Sequence, residues 1–286
     1  RSGIGNSLDL AHQLNFQCHT RFKWTIQKSL QTTKKYWSGL MSDFCIVCVT
    51  RSGSYYIMEY MCRVFGLAEG NEWFGRNKHV DLTKNFELKQ RRLDIDFNVN
   101  EDLLCDQDIK DRLKHLENFP IPYCIKSMPL QFTNTMESTN LPVEKRISVA
   151  QEILNNFDLV WFKNENKISH FCYELTAILC SSKGYPRDRE YSTYSPEKRV
   201  TPPENSFTAS LKDFDRFMKR EEFTDAVMEP FVSPVVTYDD FVEDRDREMK
   251  RIADYYDLRM HRRLENYINK IPIIQNPDYT KIFTNY

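Results

Sequence analysis

From Phe44 to Val49 the chain runs through Phe, Cys, Ile, Val, Cys and Val without a polar residue. Such a run predicts a strand buried on both faces. It breaks into Arg51-Ser52-Gly53-Ser54, after which Ile57, Met58, Met61, Val64 and Phe65 recur at helical spacing as far as Gly66, a natural C′ residue. A strand, a tight turn of small residues and a helix aim several backbone N–H groups and a helix dipole at one point, where a tetrahedral anion fits. The turn is not a Walker A loop, which needs two glycines around a longer turn followed by Lys-Ser/Thr.

The same pattern divides the rest of the chain. Residues 1–43 read as a helical extension, basic in its second half, with Phe22, Trp24, Ile26, Leu30 and Tyr36 among Lys and Arg. Residues 67–82 read as a loop. The polar stretch from Phe86 to Leu116 carries Leu103, Leu104, Ile109, Leu113 and Leu116 at helical spacing. A turn at 119–122 leads into a second short strand ending at Lys126. A helix over 143–155, a strand over 157–162 and a helix over 167–179 follow, the last with Ile168, Phe171, Cys172, Leu175 and Ile178 on one face. Residues 181–206 have no periodicity and are expected to form a mobile loop. A helix over 207–228, a strand over 234–238 and a charged helix over 239–256 complete the reading. Strands alternating with helices predict one α/β domain over 44–286. A P-loop-like three-layer fold with a parallel central sheet and helices on both faces is expected. Its site is expected at the C-terminal ends of the strands, where Arg51 falls.

Composition narrows the setting. The 286 residues are 41% hydrophobic and 13% aromatic, enough for a sizeable core, and only 8 are glycine. With 40 basic and 41 acidic residues the formal net charge is −1, so nothing draws the whole chain to nucleic acid or membrane. The eight cysteines sit mostly in apolar runs and behave as small hydrophobes. Cys45 and Cys48 point to opposite faces of one strand, against a zinc or redox pair. No apolar run reaches transmembrane length and no signal peptide is evident, so a reducing, cytoplasmic protein without a membrane span is expected. Homo-oligomerisation is left open.

Four separated stretches line up, in order, with one family. Val49-Thr50-Arg51-Ser52-Gly53-Ser54 resembles the strand and Pro-Arg-Ser-Gly-Ser/Thr turn of sulfotransferases, with Thr50 in the proline position. Glu72-Trp73-Phe74 is similar to the Glu-Tyr/Phe-Phe motif of the branch typified by bacterial trehalose sulfotransferase. Cys124-Ile125-Lys126-Ser127-Met128 matches its Gly-x-Lys-Leu/Ser-Met strand, and Tyr238-Asp239-Asp240-Phe241 its Tyr-Glu-Asp-Leu. The resemblance covers roughly residues 44 to 286. The least faithful segment is Phe162 to Tyr173, where the family has Arg-Arg-x-Asp and then a helix bearing a serine; here Lys163 replaces the arginine charge without its bidentate fork.

The resemblance implies 3′-phosphoadenosine 5′-phosphosulfate as donor, a small-molecule or carbohydrate hydroxyl as acceptor, and no metal. Backbone N–H groups of Ser52, Gly53, Ser54 and Tyr55 would hold the 5′-phosphate, with Arg51 supplying formal charge. Glu72 is the expected general base, with Trp73 and Phe74 able to desolvate it; without the resemblance it reads as an ordinary loop carboxylate. Lys126 is expected to contact sulfate or acceptor, and Lys163 and Ser169 the 3′-phosphate. His170 reads as a satisfied, partly buried histidine, and Tyr238 as packing beneath the sheet. Two other readings stand beside this one. A different P-loop nucleotide-dependent transferase or kinase would want a loop lysine and acidic metal ligands. A non-catalytic module of sulfotransferase fold would account for the altered Lys163 segment.

Overall fold

The computed structural model describes residues 43–50, 52–75, 79–83, 92–96, 105–119, 121–133, 135, 137–182, 203–260 and 279–284. The expected extension (1–42), Arg51 and most of the expected mobile loop (183–202) lie outside the described residues. The described residues from Asp43 onward belong to one compact unit. Asp43 already joins the sheet, its carbonyl accepting the Asp158 N–H at 3.0 Å.

Strand β1 (Phe44–Val47) is central, and all four of its residues are fully buried. It pairs in parallel with β5 (Tyr123–Ser127) on one side and β6 (Asp158–Lys163) on the other. Beyond β5 lies β2 (Ala68–Glu72), and beyond β6 lies β7 (Val235–Thr237), both parallel. These five strands realise the expected parallel α/β sheet. Two further strands, β3 (His79–Thr83) and β4 (Arg92–Asp96), extend the β2 edge in antiparallel fashion, giving the order β4-β3-β2-β5-β1-β6-β7.

Alternation along β1 sorts the core into two layers. Phe44 and Ile46 meet helix α1 (Ser54–Phe65) and, farther along the chain, α7 (Tyr238–Glu243) and α8 (Arg245–Tyr256). Cys45 and Val47 face α2 (Asp106–Glu117), α3 (Pro129–Thr133), α4 (Val143–Leu154) and α6 (Leu211–Met228). Cys48 lies in the α1 layer and Cys45 in the other, so the two thiols are separated by the sheet as expected. Helix α5 (Lys167–Ser182) packs with α6, Phe207 and Phe283 in a third cluster.

Several expectations need correction. The supposed loop at 67–82 contains β2 and β3. The polar sequence Ala-Glu-Gly-Asn-Glu becomes a strand because pairing with β5 and β3 overrides weak intrinsic preference. β4 likewise arises inside the stretch read as helical. The charged helix at 239–256 is two helices, because Asp244 leaves helical geometry (φ −148°, ψ 88°) and its carboxylate caps the Arg247 N–H at 3.0 Å. Residues 181–182 continue α5, and the far end of the expected loop is tied down, Asn205 N–H donating to the Lys281 carbonyl at 3.0 Å.

Helix α1 begins and ends on left-handed glycines. Gly66 (φ 69°) closes it as the C-cap, as the spacing implies. Gly53 (φ 87°) is the N-cap, and a Cβ there would stand 2.8 Å from the Tyr238 ring. Tyr238 therefore packs against the turn at the C-terminal edge of the sheet rather than beneath it. Both backbone handedness and space demand glycine, so Gly53→Ala is expected to destabilise the fold by at least the roughly 1–2 kcal/mol of a left-handed L-residue. Urea unfolding midpoints of the two proteins, at equal slope, check this.

Candidate functional site

The C-terminal ends of β1, β2, β5 and β6 converge on one edge of the sheet. The turn after β1 leaves Cys48 N–H bonded to the Ser127 carbonyl (3.1 Å) and Ser52 N–H to the Val49 carbonyl (3.3 Å), which brings Ser52 and Gly53 under the start of α1. The first turn of any helix has N–H groups without helical partners, so this end of α1 carries donors and the positive end of a dipole. Ser52 is only 1% exposed, and its Oγ is buried in contact with the Cys48 thiol but without a well-formed hydrogen bond. That orphaned hydroxyl beside a glycine-lined helix start suits an anionic oxygen, since a buried polar group otherwise carries its desolvation cost unrelieved.

Glu72 ends β2 and lies opposite Lys126 of β5, an alignment reached through a register shift between Glu69 and Glu72. Their side chains form an ion pair at 2.8 Å. Lys126 is nearly buried, and its ammonium sits 3.2 Å from the centroid of the Tyr55 ring in the first turn of α1. Gln131 of α3 reaches Glu72 Oε2 with Nε2 at 3.4 Å. Its Oε1 accepts from the Ser127 hydroxyl and the Met128 N–H. Trp73 and Phe74, expected to wall the carboxylate, turn into the core instead, so Lys126 and Gln131 are what surround Glu72. Cys48 completes the cluster. Burial pushes its thiol up, against the pull of Lys126 and contacts with Ser54 and Ser52.

Arg112 of α2 went unnoticed in the sequence. It is fully buried, and its Nη1 donates to the carbonyls of Trp73 (2.6 Å) and Gly75 (2.7 Å), while Trp73 Nε1 donates back to the Arg112 carbonyl. Burial pushes the guanidinium pKa down, with Asp108 partly opposing. The clamp fixes the turn that follows Glu72. Nothing in a charged helical segment marks one arginine as the buried one.

A second polar network backs the β1 turn. Thr50 Oγ1 donates to Glu174 at 2.8 Å, and Glu174 is paired with Arg220. His170, 1% exposed, donates from Nε2 to the Thr50 carbonyl at 2.6 Å, since a carbonyl can only accept. Its Nδ1 faces Glu221 at 3.1 Å, within ion-pair range but off hydrogen-bond alignment, and Glu221 also pairs with Lys167. His170 is thus more fully buried than the partly buried, satisfied histidine expected and is hydrogen-bonded at Nε2 alone, and the network also anchors the residue in the proline position. Burial pushes the Glu221 carboxyl up, but His170 and Lys167 outweigh it and hold the group below its ordinary value.

Lys163, at the end of β6, is not poised for an anion. Its ammonium pairs with Asp225 of α6 at 3.1 Å and lies 4.0 Å from the Trp161 ring centroid. It lines a small open recess of about 10 Å³, room for one water-sized group, together with Ser52, Asn164 and Asp225. Ser169 is not among the lining residues. It sits in the first turn of α5, its N–H capped by the Asn166 side chain at 3.0 Å. The structure thus gathers Ser52, Gly53, Ser54, Tyr55, Glu72 and Lys126, brings Lys163 to their border already partnered, and leaves Ser169 aside. Among the described residues no group of His, Cys, Asp and Glu is arranged to hold a metal ion, and no helix is long and apolar enough to cross a membrane.

The fold and this edge define an α/β protein with a parallel five-strand core and a polar site at the strand C-termini. No protein-family model matches the chain, and no curated protein matches it.

Two outcomes follow from the buried groups. Arg112→Met leaves two buried carbonyls short of a donor, and a loss of about 2–4 kcal/mol is expected from the cost of orphaned polar groups; chemical denaturation measures it. Glu221, with its folded-state pKa depressed, contributes stability that is present above its unfolded value near 4.5 and is lost as pH falls through the folded one. The urea midpoint should therefore drop as pH falls below that value, and Glu221→Gln, less stable at neutral pH, should show a shallower drop.

Proposed function

We propose that the chain is a sulfotransferase. It would move a sulfuryl group to a small-molecule or carbohydrate hydroxyl from an adenosine 5′-phosphosulfate-type donor, 3′-phosphoadenosine 5′-phosphosulfate in the family it resembles. The observation that carries this reading is the meeting of a carboxylate–ammonium pair, Glu72 and Lys126, with the anion-suited turn at Ser52–Tyr55.

The donor supplies the activated sulfuryl group. Ser52 Oγ and the N–H groups at the start of α1 would hold its 5′-phosphate, with Arg51 adding formal charge. Glu72 would take the proton from the acceptor hydroxyl as that oxygen bonds to sulfur, while the bond from sulfur to the bridging phosphate oxygen breaks. Lys126, held between Glu72 and the Tyr55 ring, would neutralise charge on the equatorial oxygens. Arg112 and Gln131 would fix the position of Glu72 without touching substrate.

A second reading, a binding module of the same fold that catalyses nothing, is favoured by the Lys163–Asp225 pair, which blunts the expected donor contact. A P-loop kinase finds less support, because no lysine stands in the turn. Calorimetry with 3′-phosphoadenosine 5′-phosphate separates these readings. Binding without a divalent cation, weakened roughly tenfold or more by Arg51→Ala, supports the first; magnesium-dependent binding of ATP alone sinks it. Glu72→Gln is then expected to keep nucleotide affinity within about twofold and to lower transfer by about 10²–10⁴. Retained turnover would remove Glu72 from the chemistry.

A further inference from the structure

The recess beside Ser52 has a charge pattern that does not suit a second phosphate. Among the described residues its one lysine, Lys163, is matched by Asp225 at 3.1 Å, and no arginine lines it. Lys167, one turn away on α5, is matched by Glu221, which itself lines the recess. The start of α5 is also spoken for. Its Lys167, Ser169 and His170 N–H groups donate to Glu165 O (2.9 Å), Asn166 Oδ1 (3.0 Å) and Asn166 O (2.9 Å). A phosphate entering here would find Lys163 and Lys167 already neutralised and a carboxylate, Asp225, beside it. Like charges at such distances repel strongly where water is partly excluded.

A hydroxyl meets the same groups differently. It can accept from the Lys163 ammonium and donate to the Asp225 carboxylate at once, whereas a phosphate oxygen can only accept. Asp225 is 46% exposed, so one of its oxygens remains open to a ligand. Asn164 and Thr224 add neutral polar partners, and the Trp161 ring faces the same space. Ser52 belongs to both the recess and the anion-suited turn, so the sugar next to a 5′-phosphate held at the turn would face this recess.

We infer that the recess takes an unphosphorylated ribose hydroxyl. On the sulfotransferase reading, from which this starts, the donor class is then adenosine 5′-phosphosulfate, with no selection for a 3′-phosphate.

Calorimetry on the full chain with adenosine 5′-phosphate and with 3′-phosphoadenosine 5′-phosphate, at one ionic strength, tests it. The two dissociation constants are expected to lie within about threefold of each other. Asp225→Asn, which frees the Lys163 charge, is expected to favour the bisphosphate by about tenfold. Lys163→Ala should weaken both nucleotides alike. A preference of tenfold or more for the bisphosphate in the unaltered protein would overturn the inference. So would a Lys163→Ala effect confined to the bisphosphate, or an unmoved ratio in Asp225→Asn. Binding of neither nucleotide overturns the sulfotransferase reading itself, a different result from binding with the wrong preference.

Discussion

The structure depends on how one strand ends. β1 is buried on both faces, so its last residues cannot drift to the surface. The chain must turn within the few positions from Cys48 to Gly53 and leave as a helix on one layer. Gly53 makes that turn possible, because its left-handed backbone and the Tyr238 ring at 2.8 Å together admit no Cβ. The start of α1 is thereby fixed directly over the end of β1, beside the ends of β5 and β6. A donor-rich helix terminus, the Glu72–Lys126 pair and Ser52 share one edge as a consequence of that geometry.

The differences between this turn and the sulfotransferase motif it resembles form a set. Proline at the position of Thr50 would stiffen the approach to the arginine by fixing φ and removing an N–H. Thr50 reaches a comparable restraint through contacts, its hydroxyl held by Glu174 and its carbonyl by His170. Those partners sit on α5, whose sequence is also where the resemblance is weakest. A helix recruited to brace the turn through Glu174, His170 and, beyond it, Glu221 has less freedom to present cations to a ligand. Thr50 in place of the motif's proline and Lys163 in place of its arginine are therefore structurally linked through α5.

Four strands of the parallel core were legible because their centres are apolar and the helices between them are periodic. β1, β5, β6 and β7 fell close to their expected limits, as did α1 with its Gly66 cap. β2, β3 and β4 were not legible, because their residues are polar and their strand character comes from neighbours in the sheet, not from any local pattern. In the candidate site, Ser52 to Tyr55, Glu72 and Lys126 fall together as expected because motif and strand end coincide. Arg112, Gln131 and Glu221 were missed for one shared reason: each acts through tertiary contacts with backbone or side chains far away in sequence. The aromatic wall expected around Glu72 failed on direction, since Trp73 and Phe74 follow the strand into the core once the turn begins.

The two ends of the site differ in how their charge is disposed, and that difference bears most on specificity. At the Ser52 end, backbone dipoles and an orphaned hydroxyl carry the attraction, and none of these can be neutralised by a neighbouring carboxylate. At the Lys163 end, the attraction rests on ammonium groups, and each has a carboxylate within ion-pair distance. Fixed dipoles are committed to an anion whether or not one is bound, whereas a paired lysine must first give up its partner. On the proposed reading a ligand would therefore be gripped by its phosphate at the turn and sorted at the recess by what it can donate as well as accept.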